Sequence, residues 1–200
     1  MQVGGRKMII SIVGKSGSGK SSLAQLLQSY SDKICYLNID EVGHQALLNQ
    51  NIITQLVHTF HLDLKNNCIS RRQLGDIVFN NHHCMKQLTD ITWEYMEKTI
   101  DHFIEENKHK IIILDWILLP KTKYFSASDI KILVQAPFEL RLNRAIKRDN
   151  ITSQKFIERE QASLDYDVAQ FDYIIENLDF EESKKKVKKI YDKSIVSRKL

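Results

Sequence analysis

The chain has 200 residues, 42% apolar and 27% charged, with a formal charge of +4 at neutral pH. That length suits one domain with a sizeable core, and the balance excludes a disordered or fibrous chain. Three widely spaced cysteines, Cys35, Cys68 and Cys84, without a Cys-x-x-Cys pair exclude a disulfide framework and point to a reduced compartment, the cytoplasm. No apolar run reaches membrane-spanning length, and the N-terminus lacks an apolar core with a cleavage pattern, so neither a membrane partner nor a signal peptide is expected.

A short polar leader, residues 1–7, precedes a first strand predicted at Met8–Val13. The octet Gly14-Lys15-Ser16-Gly17-Ser18-Gly19-Lys20-Ser21 follows at once, and a helix is predicted from Lys20 to about Ser31. Strand, glycine-rich turn and helix in that order are the setting of a phosphate-binding loop. Glycines let backbone amides curl around a phosphate without obstruction. Gly14, Ser16, Gly17, Ser18, Gly19 and Ser22 are therefore candidate nucleotide contacts. Lys20 is expected to reach the β- and γ-phosphates, exposed to ligand rather than packed, and the Ser21 hydroxyl to bind a nucleotide-associated Mg²⁺. The positive end of the helix adds to the attraction. A glycine-rich turn alone can be merely structural. Here the flanking elements and the full spacing favour nucleotide binding, without naming the reaction.

A second strand, Ile34–Leu37, delivers Asn38-Ile39-Asp40-Glu41 at its carboxyl end, where ligands gather in open α/β sheets. One long helical stretch is predicted from about Glu41 to His61. Ser70 reads as the N-cap of a helix over Arg71–Asn80, and a further helix is predicted from about Cys84 to Asn107, with an apolar core stripe. The third strand, Lys110–Asp115, ends in an acid, as the second nucleotide-site strand of phosphate-loop enzymes does. Asp115 is thus a candidate for placing Mg²⁺ or its waters, or else caps the next turn. A fourth strand, Ile130–Gln135, leads through Pro137 into a helix ending near Asp149. Thr152 caps a short helix to about Ser163, Tyr173–Ile175 forms a fifth strand, and the last helix begins after Asn177. This alternation predicts an α/β fold, a five-stranded parallel sheet with helices on both faces, and a helical substrate-binding insertion at about residues 41–109. His58, His61, His82 and His83 lack partners at ligand spacing and read as surface or capping residues. The tail Lys184-Lys185-Lys186-Val187-Lys188-Lys189 reads as a solvated helix face with Val187, Ile190 and Tyr191 inward, rather than a nucleic-acid or membrane surface.

Beyond the loop, further segments form a pattern: Asn38-Ile39-Asp40 continuing into Glu41-Val42-Gly43-His44; Arg71-Arg72-Gln73-Leu74 with Val78-Phe79; Asp115 with Leu118-Leu119; Arg144 and Arg148-Asp149; and Gln161 followed by Asp172-Tyr173-Ile174-Ile175-Glu176-Asn177. From Met8 to Asn177 this pattern resembles the dephospho-coenzyme A kinase family. The resemblance implies a P-loop nucleoside-triphosphate kinase fold in a single domain: a core at about 8–40 and 110–200, the insertion at 41–109 and a lid at about 137–163. It implies ATP and Mg²⁺, and transfer of the γ-phosphoryl group to the ribose 3′-hydroxyl of dephospho-coenzyme A. By the same likeness Asp40 is the general base, Asp40, Arg71 and Asp115 contact the acceptor, Arg144 and Arg148 are lid cations, and Asn177 belongs to the nucleotide site.

Each role has a plainer alternative. Arg144 and Arg148, one helical turn apart, can face one target, or be solvated or paired with Asp149 and Glu139. Asp40 can cap the helix that follows it. Arg71 can simply sit in its helix's first turn, and Arg72 can do either job. The chain also departs from the family pattern. Asn38 replaces an Asp, Trp93-Glu94 a His-Pro pair, Trp116 a Pro and Ile157 an Arg, and Pro120-Lys121 falls where a Glu is expected. The alternatives to the family reaction are a kinase of another small molecule, such as a nucleoside or nucleotide, and a non-catalytic nucleotide-binding regulator. A monomer or weak homo-oligomer without nucleic-acid partners is expected.

Overall fold

The apolar runs form one parallel sheet in the computed structural model, which describes residues 8–64, 68–79, 81–161 and 163–198. The leader at residues 1–7 and the predicted helix end at Asn80 lie outside them. The strands are β1 (Met8–Val13), β2 (Ile34–Asn38), β3 (Ile111–Asp115), β4 (Ile130–Gln135) and β5 (Tyr173–Glu176), ordered β2-β3-β1-β4-β5. Central parallel strands are covered on both faces, which is why β1 and β3 read as nearly unbroken apolar runs rather than alternating ones. Connections leave β1 first toward one edge of the sheet and later toward the other, so its carboxyl end is the switch point of the topology. Register aligns Ile12 and Asn38 with Asp115 there.

The helices are α1 (Lys20–Gln28), α2 (Ile39–Ala46), α3 (Gln50–Phe60), α4 (Arg71–Val78), α5 (His82–Glu106), α6 (Lys123–Ser126), α7 (Phe138–Asp149), α8 (Ser153–Gln161) and α9 (Phe180–Ile190). Among the described residues, no helix is long and apolar enough to cross a membrane. The chain divides into two compact units, one of Met1–Asn38 with Ile104–Leu200 and one of Ile39–Phe103.

In the first unit, Ile10 and Ile12 of β1 and Ile111 and Ile113 of β3 pack with Leu23, Ala24 and Leu27 of α1 and Val187 and Ile190 of α9. Each of the isoleucine, leucine and valine side chains among them contributes roughly 1.5–3 kcal/mol when fully buried. Alternate residues point to the other face. There Ser11 Oγ meets Ser128 Oγ at 2.6 Å, just past α6, whose Tyr124 and Phe125 are buried. The basic run of α9 lies outward: Lys184 and Lys185 pair with Glu181 and Glu182, and Lys188 pairs with Asp192.

In the second unit, the single helix predicted over 41–61 is two helices. The chain breaks at Leu47–Asn49, and Asn49 takes an extended conformation as the N-cap of α3, accepting from the backbone of Asn51 at 3.0 Å and Ile52 at 3.4 Å. Apolar period alone hides such a break because Ala46, Ile52, Ile53 and Leu56 are all buried on either side of it. Helix α2 starts at Ile39, so Asp40 and Glu41 lie in its first turn, where carboxylates suit the positive helix end. Helix α1 likewise stops at Gln28, short of the predicted Ser31, with Ser29 Oγ donating to Leu26 O at 2.7 Å.

Asn49→Ala should cost about 1 kcal/mol of stability, the usual worth of an N-cap, read from urea unfolding by circular dichroism. No change would mean that packing alone sets the break.

Candidate active site

The loop between β1 and α1 turns through two left-handed residues, Gly17 at φ 77° and Gly19 at φ 89°. Side chains fail there for want of room as well. A Cβ at Gly17 would lie 2.4 Å from the backbone oxygen of Arg141, and one at Gly19 2.2 Å from Asn177 Nδ2. The loop is thus seated against α7 and the end of β5. Asn177 is buried; its Nδ2 donates to Ser18 O at 2.8 Å, and its Oδ1 accepts from Ser183 Oγ at 2.9 Å. Both ends of its amide are committed to holding the loop and α9.

Lys20 is not exposed as the sequence suggested. It is 9% exposed, and its Nζ lies 3.4 Å from Oδ1 of Asp115, which is fully buried. Asp115 ends β3, the strand beside β1, so register brings the acid to the lysine that opens α1. Its Oδ2 accepts from Tyr36 Oη at 2.9 Å. Burial demands such partners, because an isolated charge away from water is strongly disfavoured. Oδ1 has the ion pair but no hydrogen bond. Among the described residues, two more buried polar side-chain atoms lack a hydrogen bond: Ser18 Oγ in the loop and Nη1 of Arg144. Native structures leave few such atoms.

These residues suit a magnesium ion carried by a nucleotide. Asp115 presents a carboxylate oxygen without a hydrogen bond, and Ser21 places a hydroxyl in the first turn of α1. Among the described residues, no group of three or more His, Cys, Asp or Glu could hold a metal by itself. Magnesium at such sites takes most of its ligands from phosphate and water.

Arg144 donates from Nη2 to Asn177 O at 3.2 Å, with Nη1 some 3.9 Å from where a Gly19 side chain would begin. Arg148 is largely exposed and takes the paired alternative. It donates to both oxygens of Asp149 at 2.7 and 3.0 Å and reaches Ser16 Oγ at 3.4 Å, while Arg159 adds a bond to Asp149 at 3.1 Å. Hydrogen bonds from Arg148, aided by its charge and that of Arg159, hold the Asp149 carboxyl below the ordinary range against the opposing effect of burial. In the second unit, Asp40 is half-buried in the first turn of α2. Arg71 opens α4 and is exposed, as is Arg72, behind the N-cap Ser70, whose Oγ accepts from Gln73 N at 3.3 Å.

Sequence reasoning passed over Tyr36, Lys15, Arg141 and Glu160. A tyrosine in an apolar strand and a salt bridge spanning 19 residues carry no local signal.

A parallel sheet in this order, with a glycine loop joining its middle strand to a helix whose first lysine pairs with the acid ending the next strand, defines a P-loop kinase fold. The family model described as "CoaE: Dephospho-CoA kinase" matches residues 8–182. The chain is 31% identical to a dephospho-CoA kinase of Aquifex aeolicus over 92% of its own length and 95% of the relative's. A solved structure from Thermus thermophilus, TT1252, superposes with a TM-score of 0.80 at 22% identity, covering 98% of this chain and 99% of that one. The dephospho-CoA kinase of Campylobacter jejuni superposes at 0.58 and 20% identity, over 92% and 95% of the two chains. The chain belongs to the dephospho-CoA kinase family.

The Asp149 cluster yields a pH test. A carboxyl whose folded value is depressed contributes stability above its unfolded value and loses it as pH falls through the folded one. Asp149→Asn should therefore be less stable than the parent near neutrality, and the gap should close as pH drops through and below the ordinary carboxylate range. Thermal unfolding of both proteins across that range checks this; a pH-independent gap would assign the loss to packing.

Proposed function

We propose that the chain transfers the γ-phosphoryl group of ATP to the ribose 3′-hydroxyl of dephospho-coenzyme A, the step that yields coenzyme A. The observation that carries this reading is the family match over residues 8–182, which spans the loop and the segments holding Asp40 and Arg71. The reaction needs alignment and charge neutralisation more than covalent catalysis. Backbone amides of Gly14 and Ser16 to Ser22 cradle the donor phosphates, and Lys20 sets a cation against them. Ser21 and Asp115 would hold Mg²⁺, which, when bound, offsets the charge on the β- and γ-phosphates. Asp40 takes the proton of the acceptor hydroxyl as the oxygen–phosphorus bond forms and the bond to the ADP oxygen breaks. Arg71 pairs with an acceptor phosphate. Arg144 and Arg148 meet the charge of the transferring group from a lid at about 137–163, and Asn177 serves the nucleotide through the loop it holds. Residues 41–109 form the acceptor-binding insertion. This reading places the enzyme in the cytoplasm as a monomer or weak homo-oligomer, with small molecules as its partners.

The substituted acceptor-side residues, Asn38, Trp93, Glu94 and Trp116, motivate a second reading, a kinase of the same architecture acting on a nucleoside or nucleotide. Incubation of the purified protein with ATP, Mg²⁺ and each acceptor, with products read by mass, separates the two. Coenzyme A formation supports the first, and phosphorylation of another acceptor alone supports the second.

Asp40→Asn keeps size and much of the hydrogen bonding but cannot take a proton. Single-turnover transfer should fall by about 10²–10⁴, the usual worth of a positioned base, with ATP affinity retained. A rate within a few-fold of the parent would reduce Asp40 to a helix-end residue.

The two arginines should separate. Arg144, with a buried Nη1 lacking a hydrogen bond, should lose more turnover on change to alanine than Arg148, whose charge is already met by Asp149. Saturating-ATP kinetics test this, and equal losses would refute the distinction.

A further inference from the structure

Arg141 has no place in the family pattern, yet it is buried at 6% exposure at the junction of four segments. Its Nε donates to Ala136 O at 3.0 Å, and Nη1 and Nη2 donate to the two carboxylate oxygens of Glu160, each at 2.7 Å. Nη1 also reaches Ser16 O, in the phosphate loop, at 3.4 Å. The guanidinium lies over the rings of Phe138 and Phe156, 5.9 and 5.8 Å from their centroids. Its own backbone oxygen is the atom that bars a side chain at Gly17. Glu160 takes a second cation from the loop, Lys15 Nζ at 3.3 Å, whose other partner is exposed Asp165 at 2.9 Å. One forked ion pair thus ties α7 and α8 to loop residues 15–17. Bidentate charged pairs of this kind are roughly twice as strong as neutral hydrogen bonds.

Geometry turns this tie into control of the loop. In a planar trans peptide the carbonyl and the following N–H point in opposite directions. Drawing Ser16 O toward Arg141 therefore turns the Gly17 N–H away from it. Anion binding by a backbone loop depends on where its N–H groups aim.

We propose that Arg141 and Glu160 are positioning residues for the phosphate loop, their ion pair setting the orientation of the 16–17 peptide and thereby both ATP affinity and turnover. The turnover part rests on the kinase reading above; the affinity part does not. Replacing both members of a buried ion pair by apolar groups is often neutral for stability, so Arg141→Met/Glu160→Leu separates positioning from folding. Its melting temperature should stay near the parent's. ATP affinity, measured calorimetrically with ATP and Mg²⁺ and no acceptor, should weaken about tenfold, and turnover should fall by up to the ~10²-fold expected of a 1 Å misplacement. Glu160→Gln, a change at a partly exposed site that keeps the shape, should show the same losses to a smaller degree and gives the decision where the double variant does not fold. Parental ATP affinity and turnover in either folded variant would overturn the proposal. A parent that binds ATP but makes no coenzyme A would count against the acceptor reading alone, with the affinity comparison still deciding this one.

Discussion

Much of this molecule follows from how its phosphate loop is held: by the carbonyls of Ser16 and Ser18, with the Ser18 N–H between them closing the loop on Lys15 O at 3.1 Å. Two side chains grip alternate peptides. Arg141 reaches Ser16 O and Asn177 donates to Ser18 O. Since each peptide is planar, both contacts dictate where the next N–H, of Gly17 and Gly19, is aimed. At Gly17 the backbone oxygen of Arg141, and at Gly19 the gripping amide of Asn177, leave no space for a Cβ. Gly17 and Gly19 are therefore the imprint of α7 and of the end of β5 on the loop, as Gly14 is of β4, whose Val134 O would lie 2.4 Å from a Cβ there. Gly17 and Gly19 answer to different supports, so a change at either should be felt through a different element.

Charge is distributed on the same plan. Lys20 has Asp115, Lys15 has Glu160 and Asp165, Arg141 has Glu160, and Arg148 and Arg159 share Asp149. These pairs hold cations near the loop in fixed places. Fixed charges need no reorganisation when negative charge develops nearby, which is how such sites stabilise phosphoryl transfer. Arg144 differs. Its Nη2 donates to a backbone oxygen, of Asn177, and its Nη1 is buried without a hydrogen bond. A buried donor left in that condition costs on the order of 1–3 kcal/mol.

The strands and the loop were legible because each depends on local signals: an apolar run of strand length, glycines at set spacing, a lysine and serine opening a helix. Met8–Val13 and Ile130–Gln135 form as read. The helix break at Asn49 was not legible, since the apolar period continues across it and only the cap marks it. Burial of Lys20 was missed for a different reason. Its partner, Asp115, is distant in sequence and becomes a neighbour only through the β1–β3 register. Arg141, Glu160 and Lys15 share that difficulty, as their value lies in meeting across α7, α8 and the loop. The choice for Arg148 between an open cation and a pair with its neighbour Asp149 was visible as a choice but needed rotamers to decide.

The departures from the family pattern also take on physical content. Where the family has proline after the acid of the third strand, Trp116 contributes an N–H that donates to Ile12 O at 3.3 Å, extending the β1–β3 ladder by a bond that proline cannot make. Trp116 is 8% exposed, so a large apolar side chain is buried at the carboxyl end of the sheet. Ile157 stands where a lid arginine is expected, and Arg159, two residues on, reaches Asp149 together with Arg148. In both places the changed residue or its neighbour makes a defined contact, tightening the ladder in one case and joining the Asp149 cluster in the other. The changes at 116 and around 157 therefore read as altered support beside the loop and the Asp149 cluster, while Trp116, with Asn38 and the Trp93-Glu94 pair, stays among the substitutions that motivate a different acceptor.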